Sequence, residues 1–170
     1  MPEPGVALRL LAPEQAEVIQ RLASDARIAA TTRIPHPYPE HGARDFIAAQ
    51  IDARQRGTAW TFAITDGDEL VGVCGIEGIG GEDPPELGYW VGAPYWGRGY
   101  ATAGVKLLLE FAFRNLLLDQ VRAHALERNA ASRRVLEKSG FECLRVSPHY
   151  DAALGNLEQM VAQYRIRRPR

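Results

Sequence analysis

The chain has 170 residues and a mass of 18.8 kDa, the size of one domain at roughly 100 to 200 residues per domain. With 46% hydrophobic and 24% charged residues it is neither disordered nor fibrous, and its core needs no disulfide or metal staple. A formal charge of −1 and a pI near 6.4 argue against a general nucleic-acid or membrane-surface binder, so any anionic ligand must be met locally.

Val6 to Leu11 alternates around Arg9 and predicts a first strand. Pro13 and the apolar spacing of Ala16, Ile19 and Leu22 predict a helix from about Glu14 to Ser24. Residues 31 to 39, TTRIPHPYP, hold three prolines and read as an extended loop of the kind that lines sites. Phe46, Ile47 and Ile51 predict a second helix over His41 to Gln55, closed by Gly57. The period then changes: Ala59 to Thr65 and Leu70 to Ile79 are strands, with Asp66 and Gly67 as the hairpin dipeptide.

A turn through Gly78 to Pro85 leads to a strand at Glu86 to Val91, completing a meander. Gly99 to Arg114 is an amphipathic helix and Gln120 to Leu126 a strand, so that 86 to 126 forms a βαβ unit with parallel strands. A helix over Asn129 to Ser139 ends at Gly140, and strands at Phe141 to Val146 and Leu157 to Ile166 follow. Cys74 and Cys143 sit in apolar, strand-like segments and are expected to be buried free thiols, with no metal site. The first residues carry Glu3, Glu14 and Glu17, and no apolar run is long enough to span a membrane. A cytoplasmic protein is expected.

The most informative stretch is YWGRGYATAG, Tyr95 to Gly104, at the joint between a strand and a helix. The first N–H groups of a helix lack intrahelical acceptors and the helix dipole adds positive charge, so the amides of Gly97, Arg98, Gly99, Tyr100, Ala101 and Thr102 form a candidate pyrophosphate cradle. Two better-known phosphate motifs fail on these residues. A dinucleotide fingerprint needs glycine where Thr102 stands, and a P-loop needs lysine where Val105 stands.

The arrangement resembles the GNAT superfamily of acetyl-CoA-dependent N-acetyltransferases, whose signature is [QR]-x-x-G-x-[GA] at a helix start. Gly99 and Ala101 match it, while Trp96 replaces the usual Gln or Arg. That departure, the segment GYWVGAPYWGRGYATAG at 88 to 104, and Asn129, Ser132, Gly140 and Phe141 downstream are similar to the ribosomal-protein N-terminal acetyltransferase branch. The resemblance implies an α+β fold over residues 6–167, followed by a basic tail at 168–170. Its core is a mixed, mostly antiparallel sheet with a splayed parallel pair and flanking helices.

It further implies acetyl-CoA as cosubstrate, with pantetheine lying along Leu87 to Val91 near Tyr89 and Trp90. Asn129 is expected to bind the pantetheine amides, and Arg133 is among the basic residues expected to meet the CoA phosphates. An amine acceptor is expected, either a protein N-terminus or a small molecule, attacking directly with no metal and no acyl-enzyme; a homodimer is common in the family. Glu86 is the leading general base and Glu77 the second candidate. Many members donate to the departing sulfur from a tyrosine at the position of Leu136; here Ser132 is the expected donor. His36, Tyr38 and Trp60 are expected to shape the acceptor pocket, and His124 and His149 to be structural or surface residues. The competing reading, motivated by Leu136, is a non-catalytic acyl-CoA sensor.

Overall fold

The structure, a computed structural model, describes residues 5–151 and 157–170; Glu3 lies outside them. Among the described residues, seven strands form one sheet in the order β1-β2-β3-β4-β5-β7-β6. These are β1 (Val6–Leu10), β2 (Ala59–Asp66), β3 (Glu69–Glu77), β4 (Glu86–Val91), β5 (Gln120–Leu126), β6 (Glu142–Asp151) and β7 (Leu157–Arg167). The helices are α1 (Ala16–Ala23), α2 (Ala26–Ala29), α3 (Gly42–Gln55), α4 (Tyr100–Arg114) and α5 (Ala130–Lys138).

Every neighbouring pair is antiparallel except β4 and β5. That parallel pair is joined at one register position, Glu86 opposite Arg122, backed by the Arg122 N–H bond to the Pro85 carbonyl at 2.9 Å. Beyond it the strands part. This is the mixed sheet with a splayed parallel pair that the sequence resemblance implies.

Helices cover both faces. Ile64, Cys74, Ile76, Leu87, Val105, Leu108, Leu136 and Tyr164 make the larger core under α4 and α5. Leu11, Ile19, Leu22, Ile47, Ala63 and Val73 make a second core under α1 and α3. The helical spacing of Ile19 and Leu22, and of Val105, Leu108, Leu109 and Ala112, explains why these segments fold as helices: each buries one apolar stripe.

Several expectations need correction. The β2–β3 hairpin turns on Gly67 and Asp68, because Asp66 already pairs with Glu69. Gly67 supplies the positive φ of 60° at the first central position, as a two-residue turn of the II′ kind requires. The first helix is preceded by a 3-10 turn at Pro13–Gln15. α2 was invisible to periodicity because it is four residues long, held at its start by Asp25, whose side chain accepts from the Arg27 N–H. Cys74 is buried, but Cys143 is exposed. Near the end of the chain Arg165 pairs with Glu142 at 2.7 Å and Arg168 with Asp119 at 3.0 Å, and the Arg168 N–H donates to the Asp119 carbonyl. No helix among the described residues is long and apolar enough to cross a membrane.

Leu136 is fully buried between α5 and the sheet. Leu136→Ala should lower the unfolding free energy by about 2–5 kcal/mol, read as a shift in the urea midpoint with an unchanged slope; a smaller loss would mean that α5 does not anchor this core.

Candidate active site

α4 begins at Gly99, which has a φ of 82°, with Gly97 at 78° two residues earlier. Left-handed backbone on either side of Arg98 turns successive amides toward one concavity, and glycine is the residue that adopts it without strain. Among the described residues, the N–H groups of Gly97 through Thr102 have no acceptor within the protein; the first satisfied donor is Ala103, to the Gly99 carbonyl at 3.0 Å. This six-amide concavity at the positive end of a helix suits a pyrophosphate. The residue at the signature's usual Gln or Arg position, Trp96, donates its indole N–H to the Val91 carbonyl at 2.7 Å and ties the loop to the end of β4. Arg27 of α2 lies 5.8 Å from the centre of the Trp96 ring.

Along β4, side chains alternate between the two faces. Leu87, Tyr89 and Val91 face α4 and α5, and Trp90 packs against the opposite core under α1 and α3. Glu86 and Gly88 therefore share the Trp90 face. On the α5 side, the Tyr89 hydroxyl lies 2.5 Å from Ser132 Oγ and 3.2 Å from the Ser132 carbonyl. Burial pushes the Tyr89 phenol up to about 12, against the Ser132 hydrogen bond, which lowers it. Tyr89 thus keeps its proton near neutral pH and can donate to Ser132 Oγ, leaving the serine hydrogen free. Ser132 is held by Asn129, which caps α5 by accepting from the Ser132 N–H at 3.2 Å.

On the other face, Glu86 Oε1 lies 2.6 Å from His124 Nδ1. The hydrogen bond to His124 holds the Glu86 carboxyl below the usual carboxylate range; partial burial opposes this, and the charges of His124, Arg122 and Arg33 reinforce it. Sequence reasoning placed His124 among the structural or surface residues and did not pair it with Glu86. The signal was present, since β5 buries Val121, Ala123 and Ala125, which puts Arg122 and His124 on the face that Glu86 occupies. Glu77 pairs directly with Glu86 across β3 and β4 and is exposed.

The remaining expected site residues divide. Tyr38 packs against the α1–α3 core, its ring on Gly42 at the start of α3. His36 is exposed on the same loop. Trp60 lies elsewhere: its ring packs 5.1 Å from Phe111 of α4, on the face opposite Glu86, because strand alternation carries it there. Arg133 is engaged by the protein, donating from Nε to the Tyr164 hydroxyl at 2.9 Å, whereas Arg98 lies 6.0 Å from the Tyr95 ring with no ion pair among the described residues. No group of His, Cys, Asp and Glu among the described residues could hold a metal.

Residues 6–142 match the family described as the acetyltransferase (GNAT) domain. The chain belongs to the GNAT acetyltransferase family. The uncharacterized N-acetyltransferase p20 of Bacillus licheniformis is 30% identical over 155 residues, covering 89% of this chain and 87% of its own. Among solved structures, RimL, a ribosomal L7/L12 alpha-N-protein acetyltransferase in complex with coenzyme A, superposes with a TM-score of 0.86 at 19% identity, covering 97% and 95% of the two chains. Spermidine N-acetyltransferase from Vibrio cholerae, in complex with CoA and spermine, gives 0.81 at 17% identity, covering 98% and 97%. At these identities the structural likeness establishes the fold. As a GNAT acetyltransferase, the chain is an acyltransferase with acetyl-CoA as its donor.

Because the Glu86 carboxyl is lowered in the folded chain, its contribution to stability is present above the ordinary carboxylate pKa and is lost as pH falls through the lowered value. Glu86→Gln should therefore cost about 1 kcal/mol near pH 7 and less once pH falls below the ordinary carboxylate pKa of about 4.3. Thermal unfolding of the two proteins across that range checks this, and a pH-independent difference would remove the Glu86–His124 interaction.

Proposed function

We propose that the chain transfers the acetyl group of acetyl-CoA to a primary amine attacking directly in a ternary complex, and that α-amino groups, a protein N-terminus among them, are favoured over lysine-like amines. The observation that carries this reading is the placement of two complementary groups on opposite sides of the same β4–β5 gap: a hydroxyl pair, Tyr89 with Ser132, and a carboxylate–imidazole pair, Glu86 with His124. Acetyl-CoA supplies an activated acetyl thioester. The amides of Gly97 to Thr102 hold its pyrophosphate, and the β4 edge from Leu87 to Val91, unpaired with β5, offers the pantetheine arm a strand to lie beside.

The acceptor arrives as an ammonium ion and must lose a proton. Glu86, polarised by His124, takes that proton directly or through a water, with Glu77 beside it as a second carboxylate. Ser132 donates its hydroxyl hydrogen to the departing sulfur while Tyr89 fixes its orientation, which supplies the donor that Leu136 cannot, buried and without a polar atom. Asn129 holds Ser132 in place from the helix cap.

The basicity of the amine bears on the choice of acceptor. Proton transfer from a lysine-like ammonium, with a pKa of about 10.4, to an ordinary carboxylate near 4.3 is uphill by roughly 8 kcal/mol, against roughly 5 for an α-ammonium near 7.8. A carboxyl held below that range widens both gaps equally, so the advantage of the α-amine comes from its own lower pKa. One structural neighbour is described as an alpha-N-protein acetyltransferase and another as a spermidine N-acetyltransferase; the smaller proton-transfer gap of an α-ammonium favours the first kind of acceptor.

The deciding experiment is thiol release from acetyl-CoA against N-terminal peptides, polyamines, aminoglycosides and amino acids, with calorimetric acetyl-CoA binding in parallel. Acceptor-dependent release is expected, highest with an α-amine; binding without release would favour an acyl-CoA sensor. Gly99→Asp adds a side chain and a charge to the cradle and should weaken acetyl-CoA binding by about 100-fold or more, and a folded variant of unchanged affinity would remove the cradle. Ser132→Ala should lower kcat by roughly 10- to 100-fold with acetyl-CoA affinity retained; equal loss of both would mean damage to the α5 cap instead.

A further inference from the structure

Glycine inside a central strand weakens it, so its presence there has a local cause. Among the described strand residues, such causes are visible for every glycine but one. The turn glycines, Gly67, Gly97 and Gly99 among them, have positive φ. Others have neighbours where a side chain would begin: a Cβ on Gly72 would stand 2.4 Å from the Trp90 carbonyl oxygen, on Gly75 2.7 Å from Thr61 Oγ1, and on Gly104 2.7 Å from Ile64 Cδ1. Gly88 has no positive φ, and nothing lies within 4 Å of where its Cβ would stand.

The surroundings of that empty position follow from the register. On the face shared by Glu86 and Trp90, Glu86 pairs with Glu77 and with Arg122, Gly88 pairs with Gly75, and Trp90 pairs with Val73. The sheet surface there is a charged row, then a glycine row, then an apolar row. The space beside Gly75 is taken by Thr61, whose hydroxyl donates to Gln50 Oε1 of α3 at 2.7 Å. Above Gly88 the trough stays open, bounded along β4 by Glu86 with His124 and by Trp90, and beside it β5 has already parted from β4.

We propose that Gly88 is the floor of the acceptor slot: a position without a side chain through which the amine of the acceptor passes between Glu86 and Trp90 to the β4–β5 gap, so that residue 88 sets how bulky the carbon bearing the amine can be. This rests on the acetyl-transfer reading above. The cosubstrate lies along the strand edge and the Tyr89 side, whereas a Cβ at residue 88 projects on the Glu86 side, so a side chain there obstructs the acceptor and spares the donor.

Gly88→Ala and Gly88→Val test this, compared with the wild-type chain in thermal unfolding, calorimetric acetyl-CoA binding and thiol release with peptides beginning with Gly, Ala, Ser or Val and with small primary amines. Both variants should fold with Tm no lower than the wild type, since extended backbone accepts either residue and a less flexible unfolded chain favours folding. Acetyl-CoA affinity should stay within about twofold while kcat/KM for the acceptor falls about 10-fold or more in Gly88→Ala and further in Gly88→Val, most for the widest first residue. A lowered Tm would make Gly88 a backbone requirement, a parallel loss of acetyl-CoA affinity would assign the space to the donor, and retained acceptor kinetics would leave the slot elsewhere; each overturns the inference alone. A wild-type chain that turns over no amine overturns the transferase reading and this inference with it.

Discussion

The parting of β4 from β5 is the constraint on which the rest of the site depends. A parallel pair inside a sheet ordinarily satisfies both strands along their length, yet here Glu86 and Arg122 are the single register pair. The chain tolerates this because the other edge of each strand is fully used, β4 against β3 from Glu86 to Val91 and β5 against β7 from Gln120 to Leu126. The unpaired edges meet in a gap in the middle of the sheet, where backbone groups cost least when a ligand satisfies them. Polar side chains at the gap are correspondingly satisfied: no buried side-chain nitrogen or oxygen among the described residues lacks a partner.

The loop at the start of α4, the proposed pyrophosphate end, is held by different bonds. Left-handed glycines at 97 and 99 leave the amides from Gly97 to Thr102 without protein acceptors, an arrangement that is stable only where water or an anion can reach them. The loop must then be held by something other than its own backbone. Trp96 does this through its bond to Val91, and the hydroxyl of Tyr100 anchors the first residue of α4 to Asp66 at 2.6 Å. The substitution of Trp for the family's usual Gln or Arg is thus explained by what the indole holds, and Arg27 over its ring connects the cradle to the segment preceding the proline-rich loop.

Much of the fold was legible because its signals are local. β4 and β5 fall where alternation placed them, and α4 and α5 within a residue of their expected starts, since glycine and asparagine caps punctuate the chain. The hairpin slipped by one residue because Asp-Gly and Gly-Asp both satisfy two-residue turns and the pairing of Asp66 with Glu69 decides between them. Candidate site residues were harder. Glu86 and Ser132 were singled out by resemblance, but their partners, His124 and Tyr89, follow only from the sheet register and the α5 packing, which are long-range. The face that Trp60 occupies was hidden for the same reason: an aromatic residue on a strand near the site reads the same in sequence whichever face it takes.

Strand alternation in β4 accounts for how one six-residue segment serves both halves of the proposed chemistry. Odd positions carry Leu87 and Val91 into the core, with Tyr89 between them reaching Ser132, while even positions carry Glu86, Gly88 and Trp90 to the opposite face. A slip of one residue would exchange the two sets, bringing Glu86 into the apolar core and Tyr89 out of reach of Ser132. The register is pinned where β3 meets β4: Gly72 lies so close to the Trp90 carbonyl that no larger residue fits, and the irregularity opposite Ile64 and Thr65 sets Val71 on the α4 side. Gly72 and Gly88 therefore have opposite reasons for being glycine. The first excludes a side chain because the neighbouring strand is already there, and the second, in the reading proposed above, because the substrate has yet to arrive.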